Sequence, residues 1–222
     1  PSYVIFILAT TEKHKILPTI LSRCQVYDFN RISVEDTVAH LQNIAQKEGV
    51  EAELEALNII AVKSDGGMRD ALSTFDQVVS FCGKKITYKD VIDNLGVLDY
   101  DYYFTLTNLC LQQKMSEALL LFNDILNKGF DAGNFISGLL AHFRDLLVCK
   151  DEATAKLLEV GASIRSRYIE QAKQCPADFL LDAMEEANQS ELDYKQSKNK
   201  RLLVELTLIR LCQLTDQKKK AE

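Results

Sequence analysis

The hydropathy pattern changes character near residue 30. Before that point apolar residues come in unbroken runs. The longest, Tyr3-Val4-Ile5-Phe6-Ile7-Leu8-Ala9, predicts a parallel strand covered on both faces. Residues 25–29, Gln-Val-Tyr-Asp-Phe, predict a second strand. A doubly covered strand needs neighbours that this sequence does not supply. The chain therefore reads as the C-terminal piece of a larger protein, cut inside or at the edge of an α/β domain. From Ile32 onward the period is helical. Ser33 is a good N-cap with Asp36 three residues on, Val38, Leu41, Ile44 and Ala45 recur on one face, and Gly49 stops the helix. A second helix carries Leu54, Leu57, Ile60 and Ala61 on one face. Asp65-Gly66-Gly67 breaks the chain, and a third helix runs from Met68 to about Phe81. After the turn Cys82-Gly83-Lys84-Lys85 and a short extended Ile86-Thr87, Thr87 caps a fourth helix that ends at Gly96. Residues 31–95 thus form a compact bundle of about four helices.

Gly96-Val97-Leu98-Asp99 reads as a linker into a second all-helical region. Amphipathic helices are predicted over 102–113, 116–128 and 131–150, then a shorter one over 151–159 and another over 164–174. Pro176 suits the first turn of a helix reaching about Leu192. The last helix, 198–214, is apolar on more than one face, which predicts packing inside a bundle or against a partner subunit. No repeat of 30 to 45 residues is present, so a helical solenoid is not expected.

Composition narrows this picture in three ways. The 222 residues suffice for one or two domains, and no apolar run is long enough to span a bilayer. A soluble protein without membrane association is expected. The six cysteines stand singly, without a CxxC pair or a histidine at ligand spacing. That pattern predicts reduced, mostly buried thiols in a cytoplasmic protein and no metal site. A net charge of −6 argues against one large nucleic-acid-binding face. Lys218-Lys219-Lys220 is expected to be a solvated tail.

Three features could carry chemistry. Thr10-Thr11 follow the first strand, where hydroxyls at a strand end can orient a water or a phosphate, or simply shape a turn. Arg23, in Ser22-Arg23-Cys24, could project from a domain edge and hold phosphate oxygens bidentately, or be an ordinary surface arginine. Arg69, in Gly66-Gly67-Met68-Arg69-Asp70, puts a cation in the first turn of a helix, where it opposes the macrodipole. A ligand phosphate or an ion pair with Asp65 or Asp70 would account for it equally well. No nucleophile–base set supports a free-standing enzyme.

In order and spacing, Ile7-Leu8-Ala9-Thr10-Thr11, Leu17-Pro18-Thr19-Ile20-Leu21-Ser22-Arg23-Cys24, Gly66-Gly67-Met68-Arg69-Asp70-Ala71-Leu72-Ser73 and Leu95-Gly96-Val97-Leu98-Asp99 resemble the gamma/tau subunits of bacterial DNA polymerase III. Those subunits are the AAA+ motors of the sliding-clamp loader. The likeness is specific over residues 1 to about 100 and thins to a general helical pattern beyond. It implies a mainly α chain in three parts: the end of an α/β AAA+ core (1–30), a helical lid (31–97) and a helical collar (98–222). It further implies that Thr11, less so Thr10, is the sensor 1 residue and Arg23 an arginine finger acting in trans. Arg69 would be the sensor 2 arginine, with Met68 packing near the nucleotide.

ATP and magnesium are implied for the full-length parent, an ATPase subunit of the DNA polymerase III holoenzyme. No GxxxxGK[ST] phosphate loop, acidic magnesium motif or zinc module occurs in this sequence. The fragment alone is therefore expected to bind neither ATP nor any other cofactor. The implied partners are other clamp-loader subunits, joined as homo- and hetero-oligomers through the collar, and the sliding clamp and primed DNA through the complete complex. The alternatives are a non-ATPase loader subunit of the delta-prime type, which keeps Ser-Arg-Cys, and a helical interaction module with no nucleotide role.

Overall fold

The structure, a computed structural model, describes residues 3–151, 153–158 and 160–219, with side chains to residue 215. The chain divides into two compact units, Pro1–Arg31 and Ile32–Glu222. The first holds a 3-10 turn, Lys13–Lys15, and a single helical turn, α1 (Pro18–Leu21). Lys13 Nζ reaches both carboxylate oxygens of Asp28 at 3.1 Å and ties the 3-10 turn to the segment after α1. The strands expected over 3–9 and 25–29 do not form. Among the described residues neither run has a ladder partner, and Ile5, Phe6, Ile7, Tyr27 and Phe29 are exposed. The physical reason lies in backbone bonding, because an apolar run becomes a strand only when its N–H and C=O groups have a neighbour to pair with.

The second unit begins with α2 (Val34–Glu48), α3 (Leu54–Lys63), α4 (Met68–Cys82) and α5 (Tyr88–Leu95). Ser33 caps α2 by accepting from Asp36 N at 3.1 Å, and Gly49 closes it in the left-handed conformation. Thr87 and Asp90 form a reciprocal capping box on α5. Two short strands, β1 (Glu51–Ala52) and β2 (Lys85–Ile86), pair in parallel. They bring the starts of α3 and α5 together, and Glu53 Oε2 accepts from Tyr88 N at 2.7 Å. Leu41, Leu57, Ile60, Phe75, Val78 and Val91 form a continuous buried core for these helices.

A separate core begins at Leu98 and is built by α6 (Tyr100–Leu111), α7 (Met115–Asn127), α8 (Ala132–Val148), α9 (Ala162–Gln174), α10 (Ala177–Tyr194) and α11 (Lys200–Lys219). Helix α8 packs along α10, and α10 along α11. Pro176 is the N-cap of α10 rather than its first residue. In place of the helix expected over 151–159 there is a 3-10 turn, Ala155–Leu157, and residues 152 and 159 lie outside the described residues. The Lys218–220 side chains also lie outside them. Helix α11 buries Val204, Leu208, Leu211 and Cys212 and leaves Leu202 and Leu206 exposed, so its second apolar face meets solvent in this chain. No described helix is long and apolar enough to cross a membrane, and no group of His, Cys, Asp or Glu among the described residues could hold a metal ion.

An aromatic cluster surrounds His142 at the centre of this core. Tyr103, Phe104, Phe143 and Tyr168 all have ring centroids within 6.1 Å of the imidazole, and Tyr168 Oη lies 2.9 Å from its Nδ1. Gly138 faces the same cluster, and a Cβ there would overlap the Tyr103 phenol. Burial pushes the His142 pKa from 6.5 down to about 3, with the Gln171 side chain working weakly against it. The unfolded chain therefore binds a proton in the interval that the folded one does not, so this stability is complete above the ordinary pKa and drains away below it. The expected loss is about 1.4 kcal/mol per pH unit on acidification from about pH 6.5 to 5. Urea unfolding of the wild type and His142→Phe across that range checks this. Burial raises the Asp145 carboxyl, which acts in the opposite sense, but it is common to both proteins. Equal pH slopes would sink the assignment.

Candidate functional site

Arg23 sits directly after α1. Pro18 fills the first helical position, where its missing N–H costs nothing. The turn then closes through Arg23 N to Ile20 O at 3.0 Å and Cys24 N to Leu21 O at 3.1 Å. Ser22 Oγ donates to Thr19 O at 3.3 Å. The backbone of Ser-Arg-Cys is thus fixed by its own turn. The Arg23 side chain is exposed and makes no hydrogen bond or ion pair with another described residue. The two threonines differ. Thr10 Oγ1 accepts from Glu12 N at 3.0 Å and is committed to a turn, whereas the exposed Thr11 hydroxyl has no such bond among the described residues.

Met68 and Arg69 stand together in the first turn of α4. Asp65 and Gly66 both take left-handed backbone angles, φ 46° and 77°, which reverse the chain after α3. Ser64, buried, ties the reversal down by donating Oγ to Ile60 O at 2.6 Å and accepting from Gly67 N at 2.8 Å through its carbonyl. Gly67 is the N-cap. A Cβ at this position would lie 3.0 Å from Asp70 Oδ2 and 3.1 Å from Ser64 O, so a side chain there would displace the Asp70 carboxylate from the helix start. Asp70 suits the positive end of the dipole and Arg69 does not. Arg69 is exposed and pairs with neither Asp70 nor Asp65, and Met68 beside it is half-buried. The ion-pair explanation for Arg69 is thereby removed. The role of Asp70 was not singled out from sequence, although an acid three residues after Gly67 is the spacing that signals it.

A cavity of about 1140 Å³ is lined by Val62, Tyr103, Lys128, His142 and Asp145 among others, but not by Met68 or Arg69. Guanidinium groups held on the surface without partners suit contacts with phosphates that a larger assembly would bring to them.

Comparison with known proteins gives three consecutive family matches. Residues 1–33 match the DNA polymerase III delta subunit family, residues 36–84 the DNA polymerase III clamp loader subunit ATPase lid domain, and residues 86–222 domain III of DNA polymerase III subunits gamma and tau. The chain is 34% identical to DNA polymerase III subunit tau of Bacillus subtilis over 217 residues, 98% of this chain and 38% of that protein. It is also 34% identical to DNA polymerase III subunit gamma/tau of Mycoplasma genitalium over 187 residues, 84% of this chain and 31% of that one. It thus spans about a third of the length of these relatives. Among solved structures, the Bacillus subtilis DNA clamp loader delta protein is similar over 92% of this chain and 64% of its own, with 20% identity and a TM-score of 0.49. The family match over residues 86–222 decides the assignment: this chain belongs to the gamma and tau subunits of DNA polymerase III.

Proposed function

We propose that this chain is the sensing and assembling part of a clamp-loader ATPase subunit. Residues 1–30 end the AAA+ core, 31–97 form the lid, and 98–222 form the collar that joins neighbouring subunits in the cytoplasm. In the full-length protein ATP and magnesium lie between core and lid. Arg69 then holds the nucleotide phosphates, Met68 packs beside it, and Thr11 Oγ1 reports the γ-phosphate. Arg23 reaches the nucleotide of the next subunit, and hydrolysis is coupled to placing the sliding clamp on primed DNA.

The unpaired Arg69 carries this reading. A cation in the first turn of a helix is electrostatically misplaced unless an anion joins it. The side chain is exposed, with no partner among the described residues, and Gly67 gives its helix start no side-chain cap. Charge-assisted hydrogen bonds to phosphate contribute on the order of 1.5–3 kcal/mol. Arg69→Ala in the full-length protein is therefore expected to weaken ATP binding about 10- to 100-fold. Helix content should be unchanged because the side chain is exposed. Equilibrium binding of a fluorescent ATP analogue measures this, and wild-type affinity would overturn the role of Arg69. The match of residues 1–33 to the delta family keeps a second reading in view, a loader subunit that does not use ATP. Under that reading the wild-type full-length protein shows no saturable ATP binding.

A further inference from the structure

We propose that Cys110 and Cys212 are a paired-thiol modification site that peroxide converts to a disulfide, fastening α11 to α6. The two sulfurs lie 3.6 Å apart, and the residues are separated by 102 positions in sequence. No other two of the six cysteines make a sulfur–sulfur contact. A disulfide needs a separation of about 2.05 Å, so the pair must close by roughly 1.5 Å, a movement within the reach of side-chain rotation and a slight approach of two helices. Cys110 is 0% and Cys212 2% exposed, which keeps both away from bulky reagents and from cysteines of other molecules.

Cys110 lies in the last turn of α6 and Cys212 in the C-terminal half of α11. A Gln113 Nε2 to Thr215 Oγ1 bond, 3.2 Å, also links the C-terminal side of α6 to α11. Local opening of α11 from α6 admits a small oxidant to the buried pair. The shared hydrogen bond holds the Cys212 thiol below its ordinary pKa against the effect of burial, and the same bond together with burial raises Cys110. Cys212 is accordingly the first nucleophile. Its thiolate attacks one peroxide oxygen, the O–O bond breaks, and the departing hydroxide takes a proton to leave as water. Cys110 sulfur then attacks the Cys212 sulfenic acid. The S–S bond forms, the S–O bond breaks, and the Cys110 proton leaves with the oxygen as a second water. Two thiols lose two electrons and hydrogen peroxide accepts them.

The product closes a loop that contains α7 to α10, so α11 could no longer separate from the rest of its core. This site does not depend on the nucleotide role proposed above. The test is peptide mapping of the full-length protein, with and without hydrogen peroxide, under non-reducing conditions. The expected product is a Cys110–Cys212 linked peptide pair, lighter by two hydrogens and restored by dithiothreitol. In Cys212→Ser the Cys110 thiol is expected to stay free. Recovery of both wild-type cysteines as alkylatable thiols, or carrying added oxygen without a link, would overturn the proposal. The wild-type map decides this even where the variant fails to fold.

Discussion

Arg23→Ala in the full-length protein is expected to leave ATP affinity near that of wild type and to lower DNA-stimulated hydrolysis by the assembled loader about 10³-fold or more. A guanidinium supplied by a neighbour acts on charge that develops as the phosphoryl group transfers, so its loss falls on turnover rather than on ground-state binding. The local structure makes the experiment clean. The turn that carries Arg23 is closed by backbone bonds from residues 23 and 24 to 20 and 21, none of which uses the side chain. Truncation should therefore change stability by less than about 0.5 kcal/mol. Arg23→Lys is expected to rescue poorly, because an ammonium is a point charge without the planar fork that holds two phosphate oxygens. Steady-state ATPase assays of the reconstituted loader on primed DNA provide the measurement. Turnover close to wild type in Arg23→Ala would remove the trans-acting role, while a large loss of ATP affinity would place Arg23 on its own subunit's nucleotide.

What could be read from the sequence was local, and what could not was mostly long-range. Ser33 with Asp36, Thr87, Gly49 and Gly96 all cap or close the helices they were expected to. Each is decided by a side chain or a positive φ within four residues of the helix end. The apolar runs at 3–9 and 25–29 show the limit of periodicity, which reports a tendency to be buried but cannot supply the neighbouring strand that the backbone requires. The β1–β2 pair was half visible. Ile86 looked extended, but its partner Ala52 lies 34 residues earlier in a stretch with no strand signature of its own. For Arg69 the sequence left two explanations equally open, and the structure shows no ion pair joining it to Asp65 or Asp70. The contact between Cys110 and Cys212 and the approach of Tyr103 to Gly138 had no signal at all, since both depend on how separate helices dock.

That docking rests on the aromatic core, and Phe135→Ala should expose how much. Phe135 lies on α8 with 1% of its surface exposed, its ring 6.0 Å from Tyr103 and 5.1 Å from Phe122, so it joins α8 to both α6 and α7. Removing a ring from such a site forfeits its transfer free energy and leaves a cavity that close-packed neighbours fill only partly, at about 3–5 kcal/mol. In a unit of this size each kcal/mol corresponds to roughly 2–4 °C, so the melting temperature should fall by about 6–20 °C. Phe81→Ala is the matched control, because the same ring is removed from a residue that is 75% exposed on α4. Its expected effect is within about 0.5 kcal/mol. Thermal and urea unfolding followed by circular dichroism compare the two, with the urea m-value showing whether the unfolding reaction is the same. The gap between the variants matters more than either value, since it cancels whatever the phenylalanine contributes by propensity alone. A Phe135→Ala loss no larger than that of Phe81→Ala would mean that the stacked rings do not hold α6, α7 and α8 together. The load would then have to lie in the aliphatic contacts of α8 with α10, where Leu139 and Leu146 on α8 and Leu180 and Ala183 on α10 are fully buried.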